Sequence, residues 1–213
     1  MPRPVPTRLY HFTSIDHLEM IVQHGLLADT DAAAAGLLTV AVGNRGIKGR
    51  RRSRTVPIGP GGVVADYAPF YFAPRSPMMY AISRGNVPEY QDGTESLLYL
   101  GTTIDGLAQL GLSVVFTDRN AVLETARYSQ RVDDLDSMID WKLMEARYWA
   151  NTDEEPDRRE RRMAETLVHR CVPWQAVQYV AAYSPARAGE AQATMTRFGQ
   201  SVPVGIEPDW YFT

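Results

Sequence analysis

The chain has 213 residues, of which 45% are hydrophobic and 22% are charged, a profile typical of a globular domain that buries a core without disulfides or metal. Its formal net charge of −3 argues against a protein whose whole surface binds nucleic acid, and no run approaches the roughly 20 apolar residues of a membrane span. The single cysteine, Cys171, fits a reducing cytoplasm. We therefore expect one soluble, cytoplasmic domain over residues 1–213.

The first predicted elements are a strand and a capped helix. Residues 9–13 are β-prone, and the apolar pattern after Ser14 predicts an amphipathic helix that ends at Gly25. Residues 28–62 contain alanines, glycines, prolines and basic residues without sustained periodicity. That stretch predicts a long functional loop with at most a short helix.

The middle of the chain predicts further strands and helices. An aromatic strand over residues 67–73 leads to a helix over residues 76–84, which a serine cap and a first-turn proline open. Two more strands are predicted at residues 97–101 and 113–117. A helix that is capped by Asp118 or Asn120 and runs through Tyr128 follows them.

The last third combines a charged segment with short strands. Residues 133–162 are rich in charge and contain embedded aromatics, which indicates a substrate-facing loop with helical pieces. Strands are predicted at residues 165–172, 178–183 and 202–206, with a helical turn at residues 173–177. Because strands outnumber long helices, the pattern indicates an α+β fold.

Basic residues are concentrated in one stretch although the net charge is negative. Residues 45–54 contain no acid and indicate a local site for a polyanion on an acidic protein. An ordinary solvated run of charge is the alternative explanation. The basic residues of the stretch are Arg45, Lys48, Arg50, Arg51, Arg52 and Arg54.

Three short motifs contain side chains suited to catalysis. His11 lies in the sequence YHFT, Tyr71 lies in an aromatic run, and Glu165 is a lone acid at the head of an apolar strand. Each residue taken alone has a structural explanation. His11 could be a structural histidine with its hydrogen bonds satisfied inside the fold, Tyr71 a core tyrosine and Glu165 an edge-strand glutamate. Glu160 is a rival to Glu165, but it lies among the arginines of residues 158–162, a pattern typical of a solvated surface.

In this order, the motifs resemble the ADP-ribosyltransferase superfamily of the histidine-tyrosine-glutamate type, and most closely the DarT family of DNA ADP-ribosyltransferase toxins. The resemblance implies an α+β ADP-ribosyltransferase-like fold with a central split β-sheet, an N-terminal helix and long substrate-facing loops. It also implies transfer of ADP-ribose from NAD⁺ to a thymine base in single-stranded DNA. The matching segments are LYHFT at 9–13, GG at 61–62, DYAPFYF at 66–72, RSPM at 75–78, AETLV at 164–168 and WYF at 210–212.

The resemblance assigns one group of residues to NAD⁺, as co-substrate and without a metal. Glu165 would hydrogen-bond the ribose 2′-hydroxyl and stabilise the positive charge that develops as nicotinamide leaves. His11 would orient the adenosine-side ribose, with help from Thr13. Two aromatic walls and a holder for the carboxamide would complete the nicotinamide pocket, and these are Tyr71, Tyr80 and Ser76.

A second group is assigned to the DNA. Arg51 would hold the thymine and act on its ring-nitrogen proton; because a guanidinium stays protonated, we favour electrostatic stabilisation of the thymine anion. Other residues would follow the phosphates or stack an unpaired base, and these are Lys48, Arg50, Arg52, Arg54, Tyr148 and Trp149. A toxin of this family also implies an antitoxin with ADP-ribosyl-glycohydrolase activity of the macrodomain type.

Two other functions fit the same residues. A transferase of this fold that modifies protein or RNA would keep the cleft and differ in its loops. A non-enzymatic nucleic-acid-binding module would leave His11, Tyr71 and Glu165 with structural roles, and consumption of NAD⁺ separates it from an enzyme. The four histidines are scattered without metal-ligand spacing, and His17 and His24 are predicted to lie on a helix face.

Overall fold

The computed structural model describes residues 1–37, 40 and 42–212. Its centre is a mixed β-sheet with strand order β10-β9-β4-β1-β3-β7-β5-β6, and β2 pairs with β8 in a separate small sheet. The strands are β1 (Arg8–Ser14), β2 (Leu26–Leu27), β3 (Tyr67–Tyr71), β4 (Leu97–Thr103), β5 (Val114–Thr117), β6 (Tyr128–Ser129), β7 (Glu165–His169), β8 (Cys171–Val172), β9 (Tyr179–Ala182) and β10 (Val204–Ile206).

Helices surround this sheet. The α-helices are α1 (Leu18–His24), α2 (Asp29–Ala34), α3 (Arg45–Ser53), α4 (Pro77–Ser83), α5 (Ile104–Gln109), α6 (Leu135–Met138), α7 (Trp141–Glu145), α8 (Arg158–Arg161) and α9 (Pro185–Arg197). Short 3₁₀ turns lie at Ile15–His17, Val64–Asp66, Val132–Asp134, Trp174–Ala176 and Pro208–Trp210. Within the described ranges, no helix is long and apolar enough to cross a membrane.

The large sheet is split between β1 and β3. The backbones of these strands pair only where Tyr10 lies opposite Tyr71, whereas β1 pairs with β4 along its whole length, from Arg8 to Ser14. On the other side, β3 pairs with β7 along its whole length. The two half-sheets therefore diverge from one contact, and the expected α+β fold with a central split sheet is confirmed.

Both faces of the sheet are covered because side chains alternate along each strand. Leu9 and Phe70 belong to a core cluster that also contains Met195 of α9. Tyr10, the next residue of β1, belongs to a second cluster with Tyr99. His11 and Thr13 follow at alternate positions of β1, so polar side chains enter this region of the fold from a strand that is otherwise anchored by core residues.

Several predicted elements are confirmed, because their local signals agree with the packing. The first strand is β1, and the helix after Ser14 ends at Gly25, whose φ of +80° suits glycine. The Ser76 side chain accepts from the Met79 N–H and Pro77 opens α4. The helical turn near residue 175 and the last two strands also form as predicted.

Other predictions are wrong. The stretch 28–62 holds two helices, α2 and α3, and the Asn44 side chain caps α3. No helix spans residues 118–128; the Asp118 carboxylate accepts from the Arg127 N–H at 2.9 Å and closes a loop instead.

The C-terminal third brings two further corrections. The single strand predicted over residues 165–172 is interrupted at Arg170, whose φ of +65° ends β7 and lets β8 join another sheet. Helix α9 was not predicted, although Ser184 and Pro185 open it with the same serine–proline signal as α4.

Arg162 ties the segment before β7 to the rest of the fold. This side chain is buried, and its Nη1 donates to the carbonyls of Leu143 and Met144 at 2.6 and 2.7 Å. Its Nη2 donates to the carbonyl of Pro74 at 2.7 Å. Burial lowers the pKa of Arg162 to about 10. One guanidinium thus binds carbonyls at the end of α7 and before α4, and the Leu143 carbonyl also accepts from the Ala146 N–H.

We expect Arg162→Met to lower the free energy of unfolding by about 2–4 kcal/mol, because it leaves several buried carbonyls without donors. Urea denaturation measures this change. The exposed Arg159 is the matched control, and Arg159→Met should change stability by no more than about 0.5 kcal/mol. Equal effects of the two substitutions would contradict the anchoring role of Arg162.

Candidate active site

A cleft opens where β1 and β3 diverge beyond the Tyr10–Tyr71 contact. Its walls come from β1, α1, residues 37, 40 and 42–44, α3, β3 and β7. The cleft is bordered by apolar side chains, but several polar groups enter it. The polar side chains suited to binding or catalysis include His11, Thr13, Lys48, Arg51, Tyr71 and Glu165.

Glu165 is the buried carboxylate of the cleft. It begins β7, where its backbone lies opposite Tyr71 of β3 and Thr117 of β5, and only 2% of the residue is exposed. Its Oε1 accepts from Arg51 Nη1 at 3.2 Å, and its Oε2 accepts from the Ala121 N–H at 3.0 Å. Burial raises the pKa of Glu165, and these two donors offset part of that rise. The arrangement holds a negative group at a fixed point.

Arg51 is the partner of that carboxylate. It lies in the last turn of α3. Among the residues of this fully described helix, Arg51 is the one that is buried. Its Nη2 also points to the carbonyls of Val64 and Tyr67, each at 3.4 Å. The guanidinium is therefore held by several acceptors, and it places a permanent positive charge directly beside Glu165.

The other basic residues of the stretch point in different directions. Lys48 lines the cleft and pairs with Asp29 Oδ1 at 3.4 Å. Arg54 donates to the carbonyls of residues 123 and 124, in the loop that carries the Ala121 N–H. Three arginines are exposed on α3, namely Arg45, Arg50 and Arg52.

His11 presents a neutral ring. Its Nδ1 lies 2.7 Å from the carbonyl of Pro69; because a carbonyl only accepts, Nδ1 carries the proton and Nε2 is left as an acceptor. Burial lowers the pKa of His11 to about 4, so the ring is uncharged near neutral pH. An uncharged acceptor is suited to a sugar hydroxyl.

Tyr71 forms an aromatic wall. The residue is buried, its ring lies nearly parallel to that of Phe12 with centroids 6.3 Å apart, and its hydroxyl contacts Met78 Sδ at 3.9 Å. Burial raises the pKa of Tyr71, so the phenol stays protonated. The cleft therefore joins an aromatic wall, a carboxylate, a guanidinium and a neutral imidazole.

A family model described as ssDNA thymidine ADP-ribosyltransferase, DarT, matches residues 10–212. The chain belongs to the DarT family. The DNA ADP-ribosyl transferase of Thermus sp. (strain 2.9) is 38% identical over 211 residues, which cover 98% of each protein. The chain is therefore an NAD⁺-dependent transferase that modifies thymidine in single-stranded DNA.

Solved structures agree with this membership. The DarT of Thermus sp. 2.9 in complex with ADP-ribosylated single-stranded DNA matches with a TM-score of 0.92 and covers 100% of both chains. The same protein in complex with NAD⁺ matches with a TM-score of 0.86 and covers 98% of this chain and 99% of that one. The DarTG of Thermosipho africanus, 19% identical, matches with a TM-score of 0.77 over 96% of this chain and 51% of that chain, and supports the fold alone.

Two residues assigned to NAD⁺ from the DarT resemblance lie away from the lining of the cleft. The Ser76 hydroxyl accepts the Met79 N–H as the cap of α4. The Tyr80 ring packs edge-to-face against Trp149 and Phe212, with centroids 5.9 and 5.2 Å apart. The structure thus brings His11, Thr13, Tyr71 and Glu165 together without Ser76 and Tyr80, whose contact with NAD⁺ stays a prediction.

The two aromatics assigned to DNA differ in exposure. Tyr148 is 79% exposed, whereas Trp149 is 8% exposed and shares an aromatic cluster with Tyr80 and Phe212. Only Tyr148 of this pair offers a free ring face to an unpaired base. In the described part of the chain, no group of three or more histidine, cysteine, aspartate or glutamate side chains could hold a metal ion.

Two groups of this DarT-family cleft were missed from the sequence. The Ala121 N–H contacts Glu165 through a loop that was predicted to be a helix, and a backbone donor leaves no signal in the residue type. His17 was placed on a helix face, yet its ring lines the cleft. Its position four residues after Thr13, across a strand-to-turn junction, is the signal that could have identified it.

Proposed function

We propose that residues 1–213 act as a single transferase domain in which Glu165 and Arg51 carry the chemistry of thymidine ADP-ribosylation. The observation that supports this assignment is the buried Glu165–Arg51 pair at the split of the sheet. A carboxylate next to a guanidinium provides opposite charges for the two reacting partners. One partner develops positive charge on a ribose, and the other develops negative charge on a base.

Glu165 acts on the sugar. As the bond between ribose and nicotinamide breaks, the ribose carbon gains positive charge, and the bond electrons leave with neutral nicotinamide. The carboxylate stabilises that charge and binds the ribose 2′-hydroxyl. Its two oxygens are fixed by Arg51 and by the Ala121 N–H, so little reorganisation is needed during the reaction.

The remaining cleft residues hold NAD⁺. The unprotonated Nε2 of His11 accepts from the adenosine-side ribose, and Thr13 assists. The Tyr71 ring walls the nicotinamide end. Tyr80 and Ser76 lie on either side of Met78, which lines the cleft, and we assign them to the same end of the dinucleotide. The burial of Tyr71 and the Nδ1 contact of His11 support this orientation.

Arg51 acts on the acceptor. A thymine ring nitrogen is a poor nucleophile until its proton is removed or polarised, and a guanidinium beside the base stabilises the resulting anion. The 3.2 Å distance between Arg51 Nη1 and Glu165 Oε1 supports this role, because Glu165 is the group that we assign to the reacting ribose. A single-stranded substrate avoids the cost of extracting the base from a duplex.

The DNA strand follows the exposed basic side of α3. Arg50 and Arg52 contact phosphates from outside the cleft, and Lys48 does so at its mouth, where it now pairs with Asp29. Arg54 reaches the strand from the end of α3, where its side chain donates to the carbonyls of residues 123 and 124. Exposed Tyr148 stacks an unpaired base, with Trp149 behind it.

The pair Glu165→Gln and Glu160→Gln tests the catalytic carboxylate. Glu165→Gln should lower the rate of transfer by more than about 100-fold while NAD⁺ affinity stays within a few-fold, because the lost interaction belongs to the transition state. Glu160 is a partly exposed neighbour of Arg119, and its substitution should leave the rate nearly unchanged. Transfer to an oligonucleotide and calorimetry with NAD⁺ measure both effects.

The pH profile provides a further check. Because the reacting form of Glu165 is ionised and burial raises its pKa above the ordinary 4.5, the rate should fall on acidification with a midpoint above pH 4.5. Near-normal transfer by Glu165→Gln, or loss of transfer by Glu160→Gln alone, would refute the assignment.

The pair Arg51→Ala and Arg52→Ala tests the acceptor side. Arg51→Ala should abolish transfer while NAD⁺ binding stays close to that of the parent, because Arg51 acts on the base. Arg52→Ala should retain catalysis but weaken DNA binding, with a salt dependence shallower by about one unit of slope per lost phosphate contact. Thermal melting confirms that each variant is folded.

Substrate choice completes this test. Isotopic NAD⁺ should label single-stranded oligonucleotides that contain thymine, and neither thymine-free strands nor full duplexes should be labelled. Labelling of protein or RNA in place of thymine would favour the alternative acceptors.

We also propose a toxin–antitoxin role in the cytoplasm, where NAD⁺ and DNA are both present. A base-linked ADP-ribose blocks pairing, so a toxic transferase requires a partner that removes it, and the family resemblance points to a macrodomain glycohydrolase. Such a hydrolase, added to a strand labelled by this protein, should release ADP-ribose and restore the thymine, which mass spectrometry detects. A label that resists macrodomain hydrolases would contradict this pairing.

A further inference from the structure

His17 connects two walls of the cleft. It ends the 3₁₀ turn Ile15–His17, directly after β1. Its Nδ1 lies 2.9 Å from Thr13 Oγ1, and its Nε2 lies 3.2 Å from the backbone nitrogen of Val40. Thr13, His17 and Val40 all line the cleft, and the histidine has no part in the function proposed above.

These two contacts determine the tautomer of the ring. A backbone N–H can only donate, so Nε2 accepts from Val40 and carries no proton. A ring without a proton on Nε2 is neutral, and its one proton therefore lies on Nδ1; burial, which lowers the pKa of His17, favours the same neutral form. Nδ1–H must then donate to Thr13 Oγ1, because it has no lone pair with which to accept.

The direction of this hydrogen bond determines whether the Thr13 hydroxyl offers a donor or an acceptor to a ligand. Its oxygen is occupied as an acceptor from His17, so its own hydroxyl proton turns away from the imidazole. Within the part of the chain that the structure describes, this proton has no acceptor. Thr13 is buried and borders the cleft, so its proton is available to a ligand there.

We propose that His17 is a positioning residue for NAD⁺, which fixes the Thr13 hydroxyl as a hydrogen-bond donor toward an acceptor atom of the dinucleotide. The same ring connects this donor to the backbone of Val40, which also lines the cleft. This inference rests on the proposed role of Thr13 in binding NAD⁺. It specifies that the Thr13 hydroxyl acts as a hydrogen-bond donor and that His17 holds it in this role.

Two substitutions separate the two contacts of the ring. An asparagine amide nitrogen lies near the position of Nδ1, so His17→Asn keeps the donor to Thr13. A glutamine amide reaches the position of Nε2, so His17→Gln keeps the contact with Val40 and loses the donor to Thr13. The exposed His24, on the adjoining helix α1, supplies the matched control His24→Gln.

Calorimetry with NAD⁺ and initial rates of DNA labelling form the experiment. His17→Gln should raise the Kd and the KM for NAD⁺ by about 3- to 10-fold, the range of one neutral hydrogen bond. The kcat at saturating NAD⁺ should stay within about twofold. His17→Asn should restore the Kd to within about twofold of the parent, and His24→Gln should leave it unchanged.

A double-mutant cycle with Thr13→Val shows whether His17 acts through Thr13. Thr13→Val alone should weaken NAD⁺ binding as His17→Gln does, and the double variant should bind no more weakly than Thr13→Val. The inference is overturned if His17→Gln binds normally, if His17→Asn is as weak as His17→Gln, or if the two losses are additive. Failure of the unmodified protein to use NAD⁺ would instead refute the proposed function.

Discussion

The desolvation of one carboxylate organises this molecule. Glu165 is almost entirely withdrawn from water, and an unpaired buried charge is among the most costly features that a fold can contain. Two donors offset the cost, the guanidinium of Arg51 and the N–H of Ala121. They come from helix α3 and from the loop after β5, so the fold must bring both segments to the head of β7.

Further residues hold the loop after β5, so that the Ala121 N–H stays in position for Glu165. Asp118 closes the loop through the Arg127 N–H, and Arg54 binds its carbonyls. The hydroxyl of Tyr128 donates to the carbonyl of Ala121 at 2.6 Å, directly beside the N–H that contacts Glu165. A backbone donor is thus fixed by neighbours that never touch the cleft, which is the kind of preorganisation that charge stabilisation requires.

The split of the sheet supplies the space for the substrate. If β1 and β3 were paired throughout, their backbone groups would close the region that the cleft occupies. Their backbones pair only at Tyr10 and Tyr71, and each strand forms the rest of its backbone ladder with its other neighbour. Polar groups of β1 consequently face an opening while the apolar residues of the same strand remain in the core, so a strand rather than a loop holds His11 and Thr13 in the lining of the cleft.

The sequence by itself determined the elements with strong local signals and the family to which the chain belongs. Strand β1, helix α1 and the serine-capped helix α4 follow from alternation, capping and proline chemistry, which act over a few residues. The order of the His11, Tyr71 and Glu165 motifs gave the α+β split-sheet fold and the transferase class, and the structure brings these three residues into one cleft. Residue type alone could not show that Tyr80 would turn to Trp149 and Phe212, or that His17 would face Thr13. Tertiary structure decided these points, and the partners of Glu165 as well, because each depends on which distant segment packs against a side chain, and that is set by the burial of the whole core rather than by neighbours along the chain.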